Sequence, residues 1–280
     1  MKLCVVLVAL VSAVLAFEEP QRYYHETVGI AEAARIKAFE DALDFDGGRI
    51  AGGSNANLGQ FPHMAGLVIT MTTGATSVCG SSMISNNRLV TAAHCWFDGR
   101  NQARQFTAVL GSVRLFTGGT RINTSNVVMH GSWTPSTIAN DVAVAVIAWT
   151  AYSNVINRIP LATGTATYAG LTATAAGFGR TGDGTAGGIS TAQSLSHVNM
   201  PVITNAVCAQ TFGNSIIAST LCTSGANGRS TCGGDSGGPL QISNVLVGIT
   251  SFGAAAGCQR GFPAAFARVT SFASWIQARM

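Results

Sequence analysis

The stretch Thr231–Leu240, TCGGDSGGPL, places one aspartate and one serine among four glycines and a proline. A serine hydroxyl is a poor nucleophile unless a base takes its proton and backbone N–H groups stabilise the oxyanion that forms on the substrate. Glycines beside the serine permit a tight turn that directs successive N–H groups at one point. Taken alone, the stretch fits a catalytic serine and an ordinary loop equally well.

Two further stretches favour catalysis. LVTAAHCW places His94 after an apolar run and beside Cys95, and IANDVAVAV places Asp141 before another apolar run. Each has a plain structural alternative, because a core histidine with ordinary hydrogen bonds is common and Asn-Asp is typical of turns. The chain order His94, Asp141, Ser236 nevertheless matches one of the known arrangements of a catalytic triad.

The amino terminus has the layout of a secretory signal. Residues 1–16, MKLCVVLVALVSAVLA, carry Lys2 ahead of an apolar run and end in small residues. A membrane anchor is the alternative, but a spanning helix needs about 20 apolar residues. We therefore predict a signal peptide over residues 1–16 and a secreted, extracellular protein.

Export changes the expected chemistry of the cysteines, because thiols in an oxidising compartment tend to form disulfides. Six cysteines follow residue 16, and no two of them have Cys-x-x-Cys spacing, so a zinc site is not expected. Their connectivity cannot be chosen from the sequence alone.

Charge divides the chain near residue 50. Residues 17–49 hold eight acidic and four basic residues, a net charge of −4. Residues 50–280 hold eleven arginines, no lysine, no glutamate and four aspartates, a net charge of +7. The average composition of the chain does not reveal this division.

The hydrophobic pattern changes at the same place. Before residue 50 the chain is rich in alanine and spaces Ile36, Phe39 and Leu43 as in a helix. After it, short Val, Ile and Thr runs alternate with Gly and Asn, which predicts an all-β sandwich or barrel. A last helix is predicted at the carboxyl terminus, where four residues share one face: Val269, Phe272, Ala273 and Ile276.

With these motifs in order, the chain resembles the chymotrypsin family of serine proteases over nearly all of residues 50–280. RIAGG resembles the family's activation site, TAAHC its histidine motif, NDVAV its aspartate motif, CGGDSGGP its serine motif and ITSFG the wall of its substrate cleft. The resemblance implies an all-β fold of two six-stranded antiparallel β-barrels, at about 50–157 and 158–268, with the active site in the cleft between them and a C-terminal α-helix.

The resemblance also implies the roles of individual residues. Ser236 would be the nucleophile, His94 the general base and Asp141 the residue that orients His94. The N–H groups of Gly234 and Ser236 would form the oxyanion hole. The family's disulfides correspond to Cys79–Cys95, Cys208–Cys222 and Cys232–Cys258.

Activation by cleavage follows from the same resemblance. A trypsin-like protease would cut after Arg49, and residues 17–49 would be a propeptide. The new α-amino group of Ile50 would pair with Asp235 and order the oxyanion hole. Expected partners are protein substrates, this activating protease and protein protease inhibitors, with no nucleic acid, membrane or cofactor and with a monomeric chain.

The substrate pocket is the last expectation from the resemblance. Ser230 would form a neutral floor and Gly253 an open entrance, and Ala264 replaces a commoner glycine on the wall; the remaining wall residues are Ser251 and Phe252. We predict cleavage after Phe, Tyr, Leu or Met. We also predict no metal, and in particular no calcium near Thr107–Gly118, because the protease part has no glutamate.

The loops and the arginine-only cationic residues are similar to those of digestive chymotrypsins of insect larvae, which predicts secretion into a gut lumen. Three alternatives stay open: elastase- or collagenase-like specificity, a regulatory protease with a narrow substrate range, and a non-catalytic homologue. Occupancy of the glycosylation motif at Asn123 also stays open.

Overall fold

The computed structural model describes residues 17–46, 55–183 and 194–280, and within them two antiparallel sheets form the framework of the chain after residue 55. The predicted signal peptide and the predicted activation residues Arg49 and Ile50 lie outside the described residues. The first sheet comprises β1 Met64–Met71, β2 Thr76–Ser85, β3 Arg88–Thr91, β4 Ala103–Leu110, β5 Thr120–Thr124, β6 Val127–Met129 and β7 Ala143–Val146. The second comprises β8 Thr172–Gly177, β9 Ser196–Ile203, β10 Thr220–Thr223, β11 Pro239–Ile242, β12 Val245–Phe252 and β13 Ala264–Arg268.

The second sheet is a closed six-stranded barrel, as predicted, in the order β10-β13-β12-β11-β8-β9. The first has seven strands in the order β5-β4-β1-β2-β3-β7-β6. Its edge strands β5 and β6 follow each other directly in the chain. They are separated only at residues 125–126, because the Asn126 N–H donates a hydrogen bond to Thr124 Oγ1 instead of to a neighbouring strand. The Val146 N–H donates to Asn126 O at 2.9 Å, so the interruption brings the two edges of the barrel-like sheet together.

The terminal helix α3, Val269–Gln277, is present as predicted, and the four apolar residues of its predicted face are all buried. Phe272 lies 5.4 Å from the ring of His130, and Arg88 Nε donates to Arg279 O at 2.6 Å. The helix therefore fastens the end of the chain to the first sheet.

The acidic segment, residues 17–46, forms the helix that the periodicity of its apolar residues predicts. A π-helical turn, His25–Gly29, continues into α1, Ile30–Asp46. Ile36 is fully buried and joins a cluster of apolar side chains from the strand-rich part of the chain after residue 55, including Val78 and Phe178. Another helix, α2 Asn205–Phe212, was not predicted; Thr204 caps it by accepting from Val207 N.

The described residues contain three disulfides, and their pairing is the one that the family resemblance implies: Cys79–Cys95, Cys208–Cys222 and Cys232–Cys258. The bridged residues are 16, 14 and 26 positions apart. Loops of this size correspond to about 3 kcal/mol of stabilisation each, because the bridge restricts the unfolded chain. Within the described ranges, no helix is both long enough and apolar enough to cross a membrane.

Candidate active site

His94 and Asp141 meet because their strands are neighbours. His94 lies in a 3₁₀ turn, Ala93–Cys95, just after β3, and Asp141 lies just before β7, which pairs with β3. His94 Nδ1 is 2.7 Å from Asp141 Oδ2, and the His94 backbone N–H donates to Asp141 Oδ1 at 2.9 Å. The carboxylate thereby fixes the ring and the Nδ1–H tautomer, which leaves Nε2 as a proton acceptor.

The second barrel contributes the serine and a further bond to the aspartate. Ser251 Oγ in β12 donates to Asp141 Oδ2 at 2.6 Å. Ser236 precedes β11, and its carbonyl accepts from the Gly80 N–H at 2.7 Å. Hydrogen bonds between the barrels therefore set the position of each group relative to the others.

Glycine is required on both sides of Ser236. Gly234 and Gly237 have φ of 101° and 79°, a region that disfavours residues with a Cβ. A Cβ at Gly237 would also lie 2.5 Å from Gly80 O. The glycines of the opening stretch thus allow the serine turn to approach β2.

Asp235 packs its carboxylate against the backbone of Gly177 and Gly179. Its carboxylate accepts from Gly179 N at 2.8 Å and from Cys232 N at 2.9 Å. Burial raises its pKa to about 6, and the nearby charge of Glu32 acts in the same direction, while the two backbone bonds oppose the shift. The predicted partner of this carboxylate, the Ile50 amino group, falls outside the described residues.

The predicted pocket residues Ser230, Ser251, Phe252 and Gly253 line one cavity of about 130 Å³ beside Ser236. Ala264 is not among the residues that line it; as the first residue of β13 it is buried in the core. A Cβ built on Gly253 would meet no atom within 4 Å, so the entrance is open at this point.

Asp183, which no sequence motif marked as a site residue, also lines this cavity. Its carboxylate accepts from the N–H groups of Cys258 and Gln259, both at 2.8 Å. Because these bonds use its charge to hold the loop after Gly257, Asp183 positions the rim of the cavity.

The acidic segment covers the site, which sequence reasoning missed. The Tyr24 ring lies 4.9 Å from the His94 ring, and the Tyr24 hydroxyl donates to Val78 O at 2.8 Å. His94 Nε2 is buried and makes no hydrogen bond with any residue that the structure describes. The one sequence feature that could have indicated the contact with His94 is the adjacent pair of aromatic residues, Tyr23 and Tyr24, before the predicted helix.

Two antiparallel barrel-like sheets, with a His–Asp pair from one beside a glycine-flanked serine from the other, define the chymotrypsin-type serine endopeptidases. The family model described as Trypsin matches residues 50–276, so the chain belongs to the trypsin family and is a serine endopeptidase that acts on protein substrates. The matched range begins at the residue predicted to start the protease part.

Known relatives agree with this assignment. The chain is 37% identical over 236 residues to a collagenase from Hypoderma lineatum, covering 82% of this chain and 86% of that protein. It is 35% identical to brachyurin from Leptuca pugilator, covering 81% and 97%. A solved structure of HL collagenase superposes with a TM-score of 0.74 at 35% identity, covering 82% of this chain and 98% of that one.

Proposed function

We propose that the protein is a secreted zymogen whose activated form cleaves polypeptides after large apolar residues, with Ser236 as nucleophile, His94 as general base and Asp141 as its orienting partner. The observation that carries this proposal is the buried 2.7 Å contact between His94 and Asp141, with the serine turn of the other barrel beside it.

The chemistry follows from these positions. Ser236 Oγ attacks the carbonyl carbon of the scissile bond while His94 Nε2 takes the hydroxyl proton. The N–H groups of Gly234 and Ser236 stabilise the oxyanion. His94 then protonates the leaving amine, and water releases the acyl group by the reverse sequence. Asp141 stabilises the imidazolium at each stage.

Specificity for large apolar side chains is supported by the cavity. Its floor residue Ser230 carries no charge, and its entrance at Gly253 is open. The Asp183 carboxylate on its rim is occupied by backbone N–H groups. The relatives named collagenase and brachyurin favour one alternative, a collagenase-like specificity at the same site.

Activation completes the proposal. A trypsin-like protease cuts after Arg49, and the Ile50 amino group pairs with Asp235. The predicted signal peptide and the three disulfides support secretion. We assign the enzyme to protein digestion in a gut lumen, as a monomer open to protein protease inhibitors.

The test is a cleavage profile. Precursor is cut after Arg49, freed of residues 17–49, and incubated with a peptide library and, separately, with a fluorophosphonate that labels reactive serines. The control is precursor with Ser236→Ala, treated in the same way. We expect cleavage after Phe, Tyr, Leu or Met and labelling that Ser236→Ala abolishes. A library dominated by Arg or Lys would refute the specificity, and equal turnover by the control would refute the mechanism.

A further inference from the structure

The first observation is that the acidic segment pairs with the wall of the cleft as an extra strand. Gln21 N donates to Gly253 O, and Ala255 N donates to Glu19 O, both at 3.0 Å. Pro20 forms an antiparallel bridge with Ala254 between these two bonds. Strand addition to a sheet edge is a general way to bind an extended peptide. The segment therefore occupies the edge along which a substrate would run toward Ser236.

The second observation explains why the bound segment is not a substrate. Tyr23 has a φ of 52°, so the chain leaves the extended path just before the serine. The next residue, Tyr24, is buried and lines the same cavity as Ser236, with its ring 4.9 Å from the His94 ring. A phenol has no electrophilic carbon for a serine to attack. Burial raises the pKa of Tyr24 well above its usual value, so the hydroxyl stays neutral and keeps its proton for Val78 O.

Glu40 anchors the other end of the segment. Glu40 is fully buried, and its two oxygens accept from the N–H groups of Leu115, Phe116 and Thr117 and from Thr117 Oγ1, at 2.6 to 3.1 Å. A buried carboxylate is tolerated only when it is well hydrogen-bonded. The protease part, which has no glutamate, thus presents a set of N–H donors that a glutamate of the acidic segment fills.

Charge pairs lie between these two ends. Glu26 contacts Arg100 at 2.8 Å, and Glu32 contacts Arg180 at 2.9 Å. The Arg100 guanidinium also lies 3.7 Å from the centre of the Tyr23 ring, a cation–π contact. Residues 17–49 have a net charge of −4 and residues 50–280 a net charge of +7, and these ion pairs join the two parts of the chain.

We propose that residues 17–46 are an inhibitor of this protease, bound across its cleft by their own contacts, and that the segment stays bound and inhibitory after cleavage at Arg49. This inference rests on the proposed function. Every contact above lies before residue 47, so the cut leaves all of them intact. The segment has no cysteine to tether it, and cleavage replaces an intramolecular contact with a dissociable one. Activation is then complete only when the segment is diluted or degraded.

The experiment uses the full-length precursor. Asp46→Ile and Gly47→Glu create Ile-Glu-Gly-Arg before Ile50, so that a protease specific for this sequence cuts only there and spares Arg22, Arg35 and Lys37. Complete cutting is verified by the new Ile50 amino terminus. Hydrolysis of an apolar peptide substrate per molecule is then measured from micromolar to nanomolar protein, and co-elution of the segment is measured by size exclusion.

Two variants and one matched control separate the possible outcomes. We expect the activity per molecule of cut wild type to rise at least tenfold on dilution, and the segment to co-elute at micromolar concentration. Tyr24→Ala and Glu40→Gln should be fully active at every concentration and should lose the segment. Asp41→Asn removes the same charge from an exposed neighbour and should behave as wild type.

Other results would overturn the inference. Separation of the wild-type segment at micromolar concentration, or activity per molecule equal to that of Tyr24→Ala at every dilution, would show that the segment does not inhibit. Either result would leave the proposed function standing. If no cut form hydrolysed substrate even after removal of the segment, the proposed function and the inhibitor role would fail together. If Asp41→Asn matched Glu40→Gln, the assigned anchor would be wrong.

Discussion

Among single residues, Asp141 has the environment on which the orientation of His94 depends most. One carboxylate accepts from the His94 backbone, faces His94 Nδ1 and accepts from Ser251 Oγ. Because it is buried, no water can replace any of these partners. Its charge and geometry are therefore both needed to hold a single histidine tautomer.

Asp141→Asn tests this environment. The amide keeps the shape of the side chain, but its NH₂ group can donate to His94 Nδ1 and so favour the tautomer that protonates Nε2. We expect kcat to fall by about 10⁴-fold, the size of effect known for a triad aspartate. The measurement is steady-state hydrolysis of an apolar chromogenic substrate by the cut enzyme, with circular dichroism as the control for folding. A loss below tenfold would contradict the assigned role.

Among the helices, the sequence predicts an element correctly where its buried side chains recur at helical spacing. Four apolar residues at spacings of three and four predicted α3, and all four are buried. It failed for α2, because only Cys208 and Phe212 are buried there while Val207 is exposed. The position of Tyr24 could not be predicted, since it depends on Val78 and His94, contacts 54 and 70 residues away in the chain.

Ile276→Ala tests how much α3 contributes to stability. Ile276 is fully buried, and removing a buried side chain of this size leaves a cavity that destabilises by about 2 to 5 kcal/mol. The measurement is urea unfolding of the precursor, with Ser236→Ala in the background to prevent self-digestion. Ser274→Ala, on the exposed face of the same helix, is the matched control and should change stability by less than about 0.5 kcal/mol. Equal effects of the two changes would show that α3 is not packed as described.

At the scale of the whole molecule, the sequence predicted that the chain has two oppositely charged parts, and the structure shows how they fit together. The helical segment and the strand-rich part were both predicted from periodicity. Their mutual position was not, because it is set by single long-range contacts such as that of Glu40 with residues 115–117. Periodic patterns in a sequence predict local structure. The position of the helical segment on the strand-rich part depends instead on which backbone N–H groups of that part have no partner within it.

The docked segment should also respond to pH through His25. This histidine is buried, its Nδ1 lies 2.9 Å from Ser77 Oγ, and its backbone N–H donates to Asp98. Burial is the main cause that lowers its pKa from 6.5 to about 4; the charge of Asp98 opposes this shift, and His94 adds to it. The undocked segment therefore binds a proton that the docked one excludes, so docking is strongest above pH 6.5 and weakens as pH falls toward 4.

We expect the affinity of the cut segment to decrease roughly tenfold per pH unit across that window, since one unit of pKa difference is worth a factor of about ten. Co-elution of the segment with cut Ser236→Ala precursor measures this without any contribution from catalysis. The control is His25→Gln, which keeps a hydrogen-bonding side chain but cannot take up a proton and should flatten the pH dependence. If wild type and His25→Gln released the segment with the same pH profile, another group would have to control its docking.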